Sequence, residues 1–89
     1  MGAKSDTELY LQVKKLIIGA VKLKKAPEEI GDNEVLFGEG LGLDSVDALE
    51  LVIAIEKEFG LKIPDAAVGA QALASVQSIV EYVKKQKHG

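Results

Sequence analysis

The sequence has 89 residues, of which 47% are hydrophobic and 28% charged, with a formal net charge of −3, one histidine and no cysteine. That length and balance specify one small domain with a modest apolar core and exclude wholesale disorder, while the missing cysteines exclude a disulfide framework, a thiolate nucleophile and a cysteine metal site. Charge is uneven: Glu28 to Asp65 carries eleven acids against two lysines and both flanks are net basic, so the acidic middle repels nucleic acid and suits a basic protein partner.

No apolar run approaches the roughly 18 residues of a membrane-spanning helix. The opening lacks the basic-then-apolar pattern of a leader, and Asp6 stands where a myristoylation signal has Ser or Thr. A cytoplasmic protein with no membrane insertion is the expectation.

Ser5 and Glu8 form a capping box for a first helix. Leu9, Val13, Leu16, Ile17, Ala20 and Val21 recur at helical spacing as its inner stripe, with Lys14, Lys15 and Lys22 toward water and Leu11 and Ile18 spilling onto the lysine side. Tyr10 reads as a packing residue, and Pro27 limits the helix to about Lys24 or Lys25.

From Ala26 to Leu43 there is no sustained periodicity, apart from one turn expected at Pro27 to Ile30. The stretch is longer than the roughly 12–15 residues that an unstructured connection normally spans. Its length fits a packed loop that closes the open side of a helix bundle with residues such as Ile30, Val35, Leu36, Phe37, Leu41 and Leu43, and that delivers the next helix by a crossover. Phe37 reads as a core plug, and Asn33, Glu34 and Glu39 as surface residues.

Glycines at 38, 40 and 42 then bend the chain, Asp44 is placed to cap a helix, and that helix starts at Ser45. Val46, Ala48, Leu49, Leu51, Val52, Ile53, Ile55 and Phe59 sweep a wide apolar arc, leaving Asp47, Glu50, Lys57 and Glu58 a narrower polar strip. So apolar a helix is expected to be the enclosed, central one. Glu56 interrupts the arc and is expected to meet solvent or an amide near the helix end.

After Gly60, Pro64 leads into Asp65, the expected cap of a short helix over Ala66 to Ala72, which with Gly69 inside it is the least self-supporting element. Ser75 caps a last helix with Val76, Ile79, Val80 and Val83 inward, Glu81, Lys84, Lys85 and Lys87 outward, and Tyr82 at the edge. Three amphipathic helices and one short one, with no heptad seam, predict an all-α single domain over residues 1–89, monomeric in solution.

The Ser45 hydroxyl lies at the positive end of a helix, where orphan amides and aligned dipoles favour a phosphate. As an enzyme nucleophile it lacks a general base, because His88, the one histidine, sits next to the last residue of the sequence. Asp44 and Asp47 read as helix caps rather than an acid–base pair. Together with Glu50 they fall short of the six or so oxygens of a calcium or magnesium site, so no metal is expected. The glycines form neither a phosphate-binding Walker loop nor a dinucleotide fingerprint. The plainer reading of the whole stretch is a capped amphipathic helix after a glycine loop.

The run Leu43-Asp44-Ser45-Val46-Asp47 followed by Glu50-Leu51-Val52 resembles the modification motif of acyl carrier proteins. Glu58-Phe59-Gly60, Ile63-Pro64-Asp65, the lysine-paired opening helix and the closing Ser78-Ile79-Val80-Glu81-Tyr82-Val83 extend the resemblance over nearly the entire chain. It implies an acyl-carrier-like four-helix bundle with three longer helices, one short helix and a long first loop. The implied role is to carry acyl intermediates as thioesters, for fatty acid, lipid or polyketide synthesis, on a 4′-phosphopantetheine arm that a phosphopantetheinyl transferase attaches to Ser45 from coenzyme A. The chain itself would not be an enzyme, and the working thiol would come with the arm.

The resemblance also implies partners, namely acyl-transferring and acyl-processing enzymes whose basic surfaces dock on Asp44, Asp47, Glu50 and Glu58. It implies an interior that opens to shelter a fatty chain, with Leu49, Ile53, Ile63, Ala67 and Leu73 as candidate lining. The alternatives are an aminoacyl or peptidyl carrier and a non-catalytic helical interaction module. Two departures from the fatty-acid pattern stand out: residues 66–72 carry no acid where relatives are glutamate-rich, and Lys57 takes a usually acidic place. Both point to a dedicated pathway rather than the housekeeping synthase.

Overall fold

Four helices follow one another: α1 (Asp6–Val21), α2 (Ser45–Phe59), α3 (Ala66–Ala72) and α4 (Val76–His88), with one 3₁₀ turn at Pro27–Glu29 between the first two. The structure is a computed structural model that describes residues 6–38 and 40–88. The fold is all-α, with three longer helices and one short one and no sheet among the described residues. α1 packs on both α2 and α4, and α3 packs on α4.

The core is drawn from every part of the chain. Val13 and Ile17 of α1, Leu51 and Ile55 of α2, and Val76, Ile79, Val80 and Val83 of α4 are buried at helical spacing. The long connection adds Ile30, Leu36 and Leu43, so it closes the bundle as its apolar spacing predicts. It is held by backbone bonds rather than by regular structure: the Leu36 amide donates to the Ala74 carbonyl at 3.2 Å and the Gln77 amide to Asp32 at 2.8 Å. Phe37 is half-buried against the core, while Val35 is exposed and contributes its backbone to an isolated bridge with Ser75.

Helix ends follow the capping residues. Asp65 accepts the Val68 amide at 2.9 Å, and the Ser75 hydroxyl oxygen accepts the Ser78 amide at 3.1 Å. Gly60 ends α2 in the left-handed region, at φ 64°.

Three expectations are corrected. α1 stops at Val21 instead of Lys24 or Lys25, because Lys22 turns left-handed at φ 54° and the Leu23 amide returns to the Ile18 carbonyl at 3.0 Å. That closure is the Schellman pattern, formed here without glycine. Lys14 does not point freely to water but pairs with Asp32 at 2.6 Å and ties α1 to the long connection. And α2 is not enclosed: Leu51, Ile55 and Phe59 are buried, but Val46, Leu49 and Ile53 are 64%, 62% and 44% exposed. One apolar side of α2 is therefore left exposed, while its buried side packs on α1. The capping box expected at Ser5 and Glu8 and the surface position of Glu39 lie outside the described residues.

No described helix is long and apolar enough to cross a membrane.

Candidate functional site

The approach to Ser45 is built by backbone constraint. Gly38 and Gly42 take positive φ, 68° and 77°, and at Gly40 any Cβ would overlap the Val35 carbonyl. The tight path is pinned by the Leu41 amide donating to Val35 at 3.0 Å and the Leu43 amide donating to Leu36 at 3.2 Å. Leu43, buried, anchors the chain immediately before the helix.

Asp44 and Asp47 then form a reciprocal capping box. The Asp47 amide donates to Asp44 Oδ1 at 3.0 Å and the Asp44 amide to Asp47 Oδ2 at 3.1 Å. Ser45 is thereby fixed as the first helical residue, exposed, with its hydroxyl outside the capping bonds. The contrast with Ser75 and Ser78 is direct, since their hydroxyls are 3.1 Å apart and the Ser75 oxygen also takes the Ser78 amide.

Beside Ser45 opens a cavity of about 550 Å³ between α2, α3 and the end of the long connection. Asp44, Ser45 and Asp65 are its polar lining residues; the others are apolar. Of the five candidate lining residues, Leu49, Ile63 and Leu73 line this cavity and Ile53 and Ala67 stand outside it. Val52, Ala48, Phe37, Leu43, Gly69 and Ala70 complete the wall.

Helix geometry explains the difference. At 100° per residue, Val52 returns to within about 20° of the Ser45 direction, while Ile53 is turned away by about 80°. Angular distance from Ser45, rather than membership of the broad apolar arc, was the signal that distinguishes Val52 from Ile53. On α3, Gly69, buried, and Ala70, exposed, line the cavity, while Ala67, also exposed, does not.

The acidic residues divide by role. Asp44 and Asp47 are engaged in the capping box, and Asp47 is half-buried. Glu50 is exposed. Glu58 is exposed but accepts a bond from Gln12 Nε2 at 2.7 Å, which ties it to α1 on the side of α2 away from the cavity. Lys57 is exposed as well. Glu56 meets an amide, as its interruption of the apolar arc predicts, accepting from Ile63 at 2.9 Å. Among the described residues, no group of three or more His, Cys, Asp or Glu is placed to hold a metal ion.

The arrangement offers a hydroxyl at a helix start, acidic caps on either side of it and an apolar chamber next to it. The backbone amides at that end suit an attached phosphate, and the chamber suits an uncharged chain. In comparison with known protein families, residues 12–83 match the family described as Phosphopantetheine attachment site.

Proposed function

The chain belongs to the phosphopantetheine attachment family, whose members are carriers and not themselves catalysts, and from that premise we propose that Ser45 bears the arm and that the cargo is an acyl chain. The observation that carries this reading is the position of Ser45: exposed, first in α2, and at the edge of the apolar cavity. The 4′-phosphopantetheine arm, supplied from coenzyme A by a phosphopantetheinyl transferase, would bring the thiol that the sequence lacks and hold the acyl group as a thioester. Everything else is the task of this chain's residues.

Asp44 and Asp47 keep the Ser45 hydroxyl at a rigid helix start, presented to a partner enzyme. Leu49, Val52, Ile63 and Leu73 give the cargo a place away from water. Each methylene moved from water into such a lining gains about 0.8 kcal/mol. Apart from Asp44, Ser45 and Asp65, the lining offers an ammonium or amide no side-chain partner to replace its hydration. This favours acyl intermediates of fatty acid, lipid or polyketide synthesis over aminoacyl or peptidyl cargo.

For docking, the exposed Val46, Leu49 and Ile53 lie beside Glu50 on one side of α2. That pattern fits an enzyme surface with an apolar centre and basic groups near the Ser45 end, met by a monomeric carrier. Lys57, in the last turn of α2, and the acid-free α3 lower the negative charge around the Ser45 helix, in keeping with a dedicated pathway. Loading assays test the cargo: transfer by acyl-transferring enzymes with none by amino-acid-activating enzymes is expected, and the reverse overturns the acyl reading.

A further inference from the structure

One peptide group in the α2–α3 connection is held at both poles. The Ile63 amide donates to Glu56 Oε2 of α2 at 2.9 Å, and the Lys62 carbonyl accepts the Tyr82 hydroxyl of α4 at 2.9 Å. These are the N–H and C=O of the same peptide plane, which in a trans peptide point in opposite directions. α2 and α4 therefore grip the link from opposite sides, at a segment that has no helix or strand of its own.

What is gripped is the cavity wall. Ile63 lines the cavity, and a Cβ at Gly69 would stand 3.5 Å from Ile63 Cγ2, so Ile63 also lies against the inner face of α3. α3 has seven residues with a glycine among them, too short to hold its place by its own hydrogen bonds. Between α3 and α4 lies a second, open hollow of about 450 Å³, bordered by Pro64, Val68 and Tyr82 among others. Glu56 lies within about 20° of the Ser45 direction on α2, so it ends the same row that lines the cavity.

We propose that Glu56 and Tyr82 are positioning residues that clamp the Lys62–Ile63 peptide, fix how far α3 stands from α2, and so limit the length of acyl chain the cavity shelters. The inference rests on the acyl-sheltering reading above. It gives a half-buried carboxylate and an edge tyrosine a role in cargo length although neither lines the cavity.

The first test uses the full chain without its arm, by amide hydrogen exchange. Glu56→Leu should speed exchange at Ile63 and through α3 by roughly tenfold, and Tyr82→Phe by about threefold, as expected for loss of a bond to a charged and to a neutral group. Glu56→Gln, which keeps an acceptor, should stay near wild type, and amides of Leu51 and Val80 should be unchanged in all three. The second test loads each protein with a series of acyl chains and follows hydroxylamine cleavage of the thioester. The longest protected chain should lengthen in Glu56→Leu and Tyr82→Phe. Unchanged α3 exchange in both variants, equal acceleration at Leu51 and Val80, or a protection profile identical to wild type overturns the clamp. A wild-type thioester cleaved as fast as free acyl-pantetheine overturns the sheltering reading instead, and the exchange of the unloaded protein still shows whether the clamp holds α3.

Discussion

Asp44 and Asp47 cap each other: each carboxylate accepts the other's backbone amide, at 3.0 and 3.1 Å. The two acids nearest Ser45 are thus fixed in place, and the helix start that presents the hydroxyl depends on both.

Replacing either with alanine should cost about 1 kcal/mol of stability. The double replacement should cost less than the sum, because each single change already breaks the reciprocal arrangement. Urea denaturation of the two single variants and the double variant checks this, and a wild-type midpoint for Asp47→Ala would count against it. A docking defect in either variant has to be read beside its lost stability, which makes Glu50 the cleaner test of charge.

Glu50→Lys should slow arm transfer and acyl loading at low salt while leaving the thermal melt unchanged. The defect should shrink as salt approaches physiological strength, where the screening length is about 8 Å. Lys57→Glu should shift preference toward common fatty-acid enzymes. Transfer rates across a salt series decide both, and equal rates for wild type and Glu50→Lys at every salt concentration would reduce the strip to a solvated face.

The two apolar sides of α2 should respond differently to truncation. Leu51→Ala, at a fully buried position, should lose about 2–5 kcal/mol. Leu49→Ala, 62% exposed, should change stability by no more than about 0.5 kcal/mol. Chemical denaturation separates these outcomes, and a large loss at Leu49 would mean that α2 is enclosed after all.

Val52 and Ile53 provide the matching test of the cavity. Val52→Trp should fill the chamber and shorten the longest chain protected from hydroxylamine, each excluded methylene lowering the sheltered fraction by about fourfold. Ile53→Trp, outside the cavity, should leave the protection profile unchanged.

Much of this molecule was legible from its residues because the relevant signals are local. Asp44, Asp65 and Ser75 announced three helix starts within one residue, since a side-chain cap acts over a single turn. The inner stripe of α4 and the closure of the bundle by Ile30, Leu36 and Leu43 followed from apolar spacing. What was not legible depended on neighbours. The left-handed turn at Lys22 carries no glycine to mark it, and the exposure of Val46, Leu49 and Ile53 depends on which helices pack on α2, which its own periodicity cannot reveal. Ile53 was expected in the cavity because apolar character was read without the angular distance that selects Val52, and Ala67 because the sequence does not show which face of α3 meets the cavity. The Glu56 acceptor was anticipated, but its partner, on a link seven residues away that Tyr82 also holds, arises only from tertiary structure.

Intact-protein mass spectrometry after incubation with coenzyme A and a phosphopantetheinyl transferase tests the carrier assignment most directly. Wild type should gain a single phosphopantetheine, peptide mapping should place it on Ser45, and Ser45→Ala should gain none. No gain by wild type, or a gain that persists in Ser45→Ala, would contradict the assignment of the arm to Ser45.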